Sequence, residues 1–187
     1  MHRKLTSAME HAKDSRQTNT VPQDGGALDS LGRWREWVVP SPDSQATYLA
    51  WLQIREQLEA IGAREAAQHV TARDIAQLRA LFRPYSRKGF IAQHELADYA
   101  EIDLRFHQQI VRLSGNRALQ RLWALFGHEQ MQMVKANTIE SLDRAQVSLQ
   151  DHLAIIDALE SAEPERCALL CKQHIRALYD HICHELQ

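Results

Sequence analysis

From Ala46 to the end of the 187-residue chain, apolar residues recur at intervals of three and four rather than two, and only Gly62, Pro84, Gly89, Gly115, Gly127 and Pro164 interrupt them. That periodicity belongs to helices that each bury one face, so the fold class is all-α. The interruptions divide the tract. A first helix is predicted over about 46–69. Thr71 with Asp74 forms a capping-box pattern that opens a second, reaching about Tyr85. A third runs over about 90–113, closed by Ser114-Gly115, with Asn116 placed to cap the fourth at about 117–136. The fifth covers about 141–161, and Pro164 sits in the first turn of a sixth that runs nearly to Gln187. Short loops make successive helices antiparallel neighbours, giving a bundle of six to seven helices over 46–187.

Residues 1–45 read differently. They hold three of the five prolines and three of the seven glycines, and the first thirty residues carry too few apolar side chains to offset the entropy of ordering them. The expectation is a largely disordered linker with a short helix at about 31–39, where Trp34 and Trp37 share a face.

Charge and cysteine usage narrow the function. With 22 Lys+Arg against 24 Asp+Glu the formal charge is -2, so no overall field draws the chain to nucleic acid. Three cysteines, all after residue 166, make no disulfide framework, and the start MHRKL has no apolar signal region. No apolar run reaches the roughly 18 residues that a membrane-spanning helix needs. A reduced, cytoplasmic protein is expected.

Several helices place polar residues on their apolar stripes. In the third, Leu96, Tyr99, Asp103, Phe106, His107, Ile110 and Leu113 form the inward face, with a carboxylate and an imidazole one turn apart. The fifth shows Leu149, His152, Ile156 and Leu159; the last shows Cys167, Cys171, His174, Leu178 and His181. A buried carboxylate needs a partner. Asp103, His107, His152 and His174 are a donor set that can hold a divalent ion inside a bundle, or equally an internal hydrogen-bond network. His181 and His184 are either competitors or surface residues. Cys167, Cys171 and His174 lack a fourth ligand and read as packing. In the first helix Leu52, Arg55, Glu59 and Ala66 share one stripe, and Trp51, Ile54, Leu58 and Ile61 form the adjacent apolar one. Arg55 then either borders the interior, where its guanidinium suits a carboxylate, or pairs with Glu59 on a solvated face. Glu59 and Glu101 are the general-base candidates by position.

The strings YLAWLQIREQLEAIGAREAAQHVTARDIAQLRAL, DLRFHQQIVRLSGN and DHLAIIDALESAEPERCALLCKQHI carry a resemblance. They resemble the C-terminal ligand-binding domain, called FCD, of FadR-type regulators in the GntR superfamily of transcription regulators. Asp103 with Phe106-His107, then Ser114-Gly115-Asn116, then His152 and His174 with 21 residues between them, are the specific parts. The resemblance implies a homodimeric helical bundle that binds a small organic acid effector. It implies Asp103, His107, His152 and His174 as ligands for zinc, nickel or manganese, with Arg55 binding the effector. It also implies a sensor, not an enzyme; the alternative is a metal-dependent enzyme acting on a small hydroxy or keto acid. Such regulators carry a winged helix-turn-helix before the bundle, and 45 residues cannot hold one. No direct nucleic-acid binding is therefore expected from this chain, and heterodimers with full-length relatives are a further expected partnership.

Overall fold

A computed structural model of the protein describes residues 45–125 and 141–185, with side chains over 49–124 and 141–183. All but the last residue of the expected linker 1–45, with its helix at 31–39, the predicted end of the fourth helix near 136 and the side chain of His184 lie outside the described residues. Among the described residues six α-helices follow in order: α1 Gln45–Ala66, α2 Ala72–Ser86, α3 Leu96–Leu113, α4 Arg117–Leu125, α5 Leu142–Glu160 and α6 Pro164–Glu185. Among the described residues there is no strand, and no helix is long and apolar enough to cross a membrane.

The local signals act as read. Thr71 Oγ1 accepts from the Asp74 backbone N–H at 3.3 Å, and the Thr71 N–H donates back to Asp74 Oδ2 at 3.0 Å, completing the capping box of α2. Gly115 takes φ +71 to close α3, a conformation open to residues without a Cβ, and Asn116 Oδ1 accepts from the Leu119 N–H at 3.0 Å to start α4. The start of the third helix differs from expectation. A single 3₁₀ turn over Gln93–Glu95 precedes α3. One donor is taken by a distant helix and the next locally: the Ile91 N–H donates to the Gln146 side chain of α5 at 2.9 Å, and the Ala92 N–H to Glu95 Oε2 at 2.9 Å, so these donors leave the helical ladder.

Helix α6 runs along α1 and beside α5, α2 packs on α5, and α3 crosses to α1. Gly62 lets α3 and α4 come close to α1: a Cβ there would lie 3.3 Å from Leu119 Cδ2 and 3.5 Å from Val111 Cα. Two apolar clusters result. The larger joins Ala63, Leu78, Phe82, Tyr99, Phe106, Leu149, Ile156 and Cys171; the smaller joins Trp51, Leu52, Trp123, Ile175 and Leu178. Along α1, Arg55 and Glu59 fall between the members of the two clusters, and along α6 so does His174. A polar layer therefore sits where they meet. The first-helix stripe of Leu52, Arg55, Glu59 and Ala66 is the buried one, whereas Ile54 and Ile61 of the apolar stripe are exposed.

Candidate metal centre

Asp103 and His107 of α3, His152 of α5 and His174 of α6 are all buried. One donor atom from each lies within 4.8 Å of the others. His152 Nε2 lies 3.2 Å from His107 Nε2 and 3.4 Å from Asp103 Oδ1, and His107 Nε2 is 3.8 Å from Asp103 Oδ2. All four sequence-predicted ligands thus come together from three helices. His181 is half-buried, and among the described residues it is not part of this group.

What surrounds the four decides what they can do. The Nδ1 of each imidazole is tied to a different residue: His107 to Glu59, His152 to Tyr99 Oη at 3.2 Å, His174 to Asp151 Oδ2 at 3.0 Å. A carboxylate accepts, so His107 and His174 carry their protons on Nδ1. For His152 the same tautomer follows from a chain of single donors. Its Nδ1–H donates to the Tyr99 oxygen, Tyr99 donates to Ser148 Oγ at 3.0 Å, and Ser148 donates to Asp103 Oδ1 at 3.2 Å. Three Nε2 lone pairs and an ionised carboxylate then face one point with no proton among them. Without an ion, the contacts of His152 Nε2 with His107 Nε2 and Asp103 Oδ1 need a proton on one of these nitrogens; if every Nδ1–H is kept as well, that ring is a cation, and burial opposes it, pushing His152 well below the ordinary 6.5 and lowering His174. The donor set fits a divalent ion, each imidazole being oriented from behind by a second residue.

Arg55 is both interior and paired, which joins the two readings its spacing allows. Its Nε bonds Glu59, its Cζ lies 5.5 Å from the Trp51 ring and 5.8 Å from that of Trp123, and it is 1% exposed. Burial raises the Glu59 carboxyl, but Arg55 and His107 outweigh it and hold the group at about 2. A carboxylate so acidic is a poor general base near neutrality. Glu101 lies on an exposed face. Cys167 and Cys171 are buried free thiols, Cys167 pushed up to about 11 and Cys171 well above its ordinary range by burial, so both stay protonated and pack.

Sequence reasoning missed the residues behind the ligands. Tyr99 was legible only as a stripe member, and Glu59 only as a base or a partner of Arg55. Asp151 precedes His152 yet serves His174 on the next helix. Arg144, Ser148 and His152 stand at i, i+4 and i+8 on α5, a spacing that marks all three as sharing a face.

The depressed histidines set a pH dependence. Between their folded values and 6.5 the unfolded chain binds more protons than the folded one, so their contribution is complete above about 6.5 and is lost as pH falls below it. The melting temperature of metal-free protein is expected to drop on acidification from about pH 7 to about pH 5. A midpoint that rises over that range contradicts the neutral, buried assignment.

A model of the FCD domain family matches residues 50–177. Over 148 residues the chain is 27% identical to the probable D-xylose utilization operon transcriptional repressor of Paenarthrobacter nicotinovorans, an alignment covering 74% of this chain and 63% of the relative. The chain thus spans less than two thirds of that relative's length. Among solved structures, E. coli McbR/YncC aligns over 87% of this chain and 69% of its own, with 19% identity and a TM-score of 0.45.

Proposed function

Because the chain belongs to the FCD domain family, we propose that it is the sensor part of a GntR-type transcription regulator, binding a small organic acid at a divalent metal centre. The observation that carries this reading is the convergence of three Nε2 lone pairs and the Asp103 carboxylate, with every Nδ1 engaged elsewhere. Asp103, His107, His152 and His174 would hold the ion, which when bound supplies the positive charge that attracts the acid's oxygens. Arg55 faces the same pocket as Asp103 and His174, and its Nη1 and Nη2 have no hydrogen-bond partner among the described residues. Those donors suit the acid's carboxylate. The low Glu59 value supports binding over turnover, since an enzyme acting on a hydroxy or keto acid needs a base poised near neutrality. A homodimer that shifts between two arrangements is how such a sensor would report its ligand.

Elemental analysis of protein purified without chelator tests the centre. About one equivalent of a transition metal, zinc first among the candidates, is expected in the parent and in His181→Ala. It should be lost in Asp103→Ala and His174→Ala. Equal metal content in all four proteins contradicts the assignment. With the metal in place, a bound organic acid should raise the melting temperature in a concentration-dependent way.

A further inference from the structure

Arg144 lies in the first turn of α5, eight residues before His152 on the same face. Its side chain is only 9% exposed. Nη2 donates to the backbone carbonyl of His174 at 3.1 Å, and Nη1 stands 3.7 Å from Asp151 Oδ2, beyond hydrogen-bond range. Nε and Nη1 have no hydrogen-bond partner among the described residues. Arg144 lines one pocket together with Arg55, Asp103, Ser148, His174 and Leu178. Arg55 brings two further unpartnered N–H groups to it.

A buried cationic donor without an acceptor is costly, and native proteins rarely leave one so. Here two guanidiniums from different helices leave donors open toward the same small space. One anion with two oxygens can satisfy both, since each guanidinium presents a planar fork matched to a carboxylate. The charges say which anion. Glu59 balances Arg55, Asp151 lies closest to Arg144, and Asp103 offsets half the charge of a divalent ion. One positive charge is left over for the ligand.

We infer that Arg144 is a ligand-binding residue which, with Arg55, clamps the carboxylate of a monoanionic acid while a neutral oxygen on the adjacent carbon faces Asp103 and the three histidines. The inference rests on the metal-centre reading above and extends it to a residue and a charge class. Because Arg144 also bonds the His174 carbonyl, a ligand on this clamp ties α1, α5 and α6 together at one point.

Glycolate is the probe, with ethylene glycol lacking the carboxylate and tartronate adding a second one. Zinc content is measured by elemental analysis and affinity by calorimetry on the parent, Arg144→Gln and Arg144→Lys. The expected result is zinc retained in all three, glycolate bound about 10- to 100-fold more weakly by Arg144→Gln, an intermediate loss in Arg144→Lys, and no binding of ethylene glycol. Arg144→Lys keeps the charge and most of the length, so it carries the test if the glutamine variant does not fold. Parental glycolate affinity in a zinc-loaded Arg144→Gln protein overturns the clamp, and tartronate binding more tightly than glycolate overturns the charge class. Glycolate bound in an Arg144-dependent way by a parent without zinc upholds the clamp and defeats the metal reading. Zinc without glycolate in the parent does the reverse, and neither in the parent overturns both.

Discussion

His152→Ala is expected to strip the metal from the protein and to lower the melting temperature even of the metal-free form, by roughly 6–12 °C. The two losses have different causes. His152 is fully buried, its ring stacked on Phe82 at 4.9 Å between centroids and packed against Phe106 at 4.6 Å. Truncation leaves a cavity among these rings, worth about 3 kcal/mol by analogy with other large-to-small core changes. His152→Phe separates the two. It keeps a planar ring of similar size, removes the Nε2 lone pair that faces His107 at 3.2 Å, and so should leave metal-free stability within about 1.5 kcal/mol of the parent. Metal affinity should still fall by at least about 100-fold. Thermal melts with and without chelator, read beside metal content, check both. A His152→Phe protein that retains its metal defeats the ligand assignment.

Glu59→Ala should be the most destabilising change on α1, by about 3–5 kcal/mol, because it leaves the Arg55 charge buried without its partner. Glu59 is fully buried and bonds Arg55 on one oxygen and His107 on the other. The double replacement Arg55→Met with Glu59→Leu removes both charges at similar volume and should recover most of that loss, as buried pairs replaced by apolar residues commonly do. It should nevertheless bind metal about 10- to 100-fold more weakly, since nothing then holds the His107 ring from behind. Chemical denaturation of the three proteins measures the first effect and metal titration the second. A double variant as unstable as the single one shows that shape, not charge, is what Glu59 contributes. The same carboxylate predicts acid sensitivity in a second window: its folded value of about 2 lies below the ordinary 4.5, so its contribution is complete above about 4.5 and is lost as pH falls from there toward 2.

Much of the cluster was legible in the sequence because its four residues obey helical spacing. Asp103 and His107 are one turn apart on α3, and His152 and His174 lie on the buried stripes of α5 and α6, so periodicity alone placed each toward the interior. Arg55 and Glu59 show where that method stops. Their spacing predicts an ion pair, and the pair forms, but a solvated face was as consistent with the pattern as a buried one. Of the neighbouring apolar stripe Trp51 is buried but Ile54 and Ile61 face outward, because the polar stripe is the one turned toward His107 and the guanidinium is covered by Trp51 and Trp123.

The sequence by itself determined the helices, their caps and the inward direction of Asp103, His107, His152 and His174, since each follows from local interactions or helical periodicity: the Thr71–Asp74 box, the left-handed Gly115, the i,i+4 spacing of Asp103 and His107. Only the tertiary structure decided which residue stands behind each imidazole and which guanidiniums share the pocket. Glu59 meets His107 across 48 positions, Tyr99 meets His152 across 53, and Asp151 meets His174 across 23. Those pairings depend on how far each helix is rotated about its axis and shifted along its neighbour, and ridges packing into grooves set both through side chains far apart in sequence.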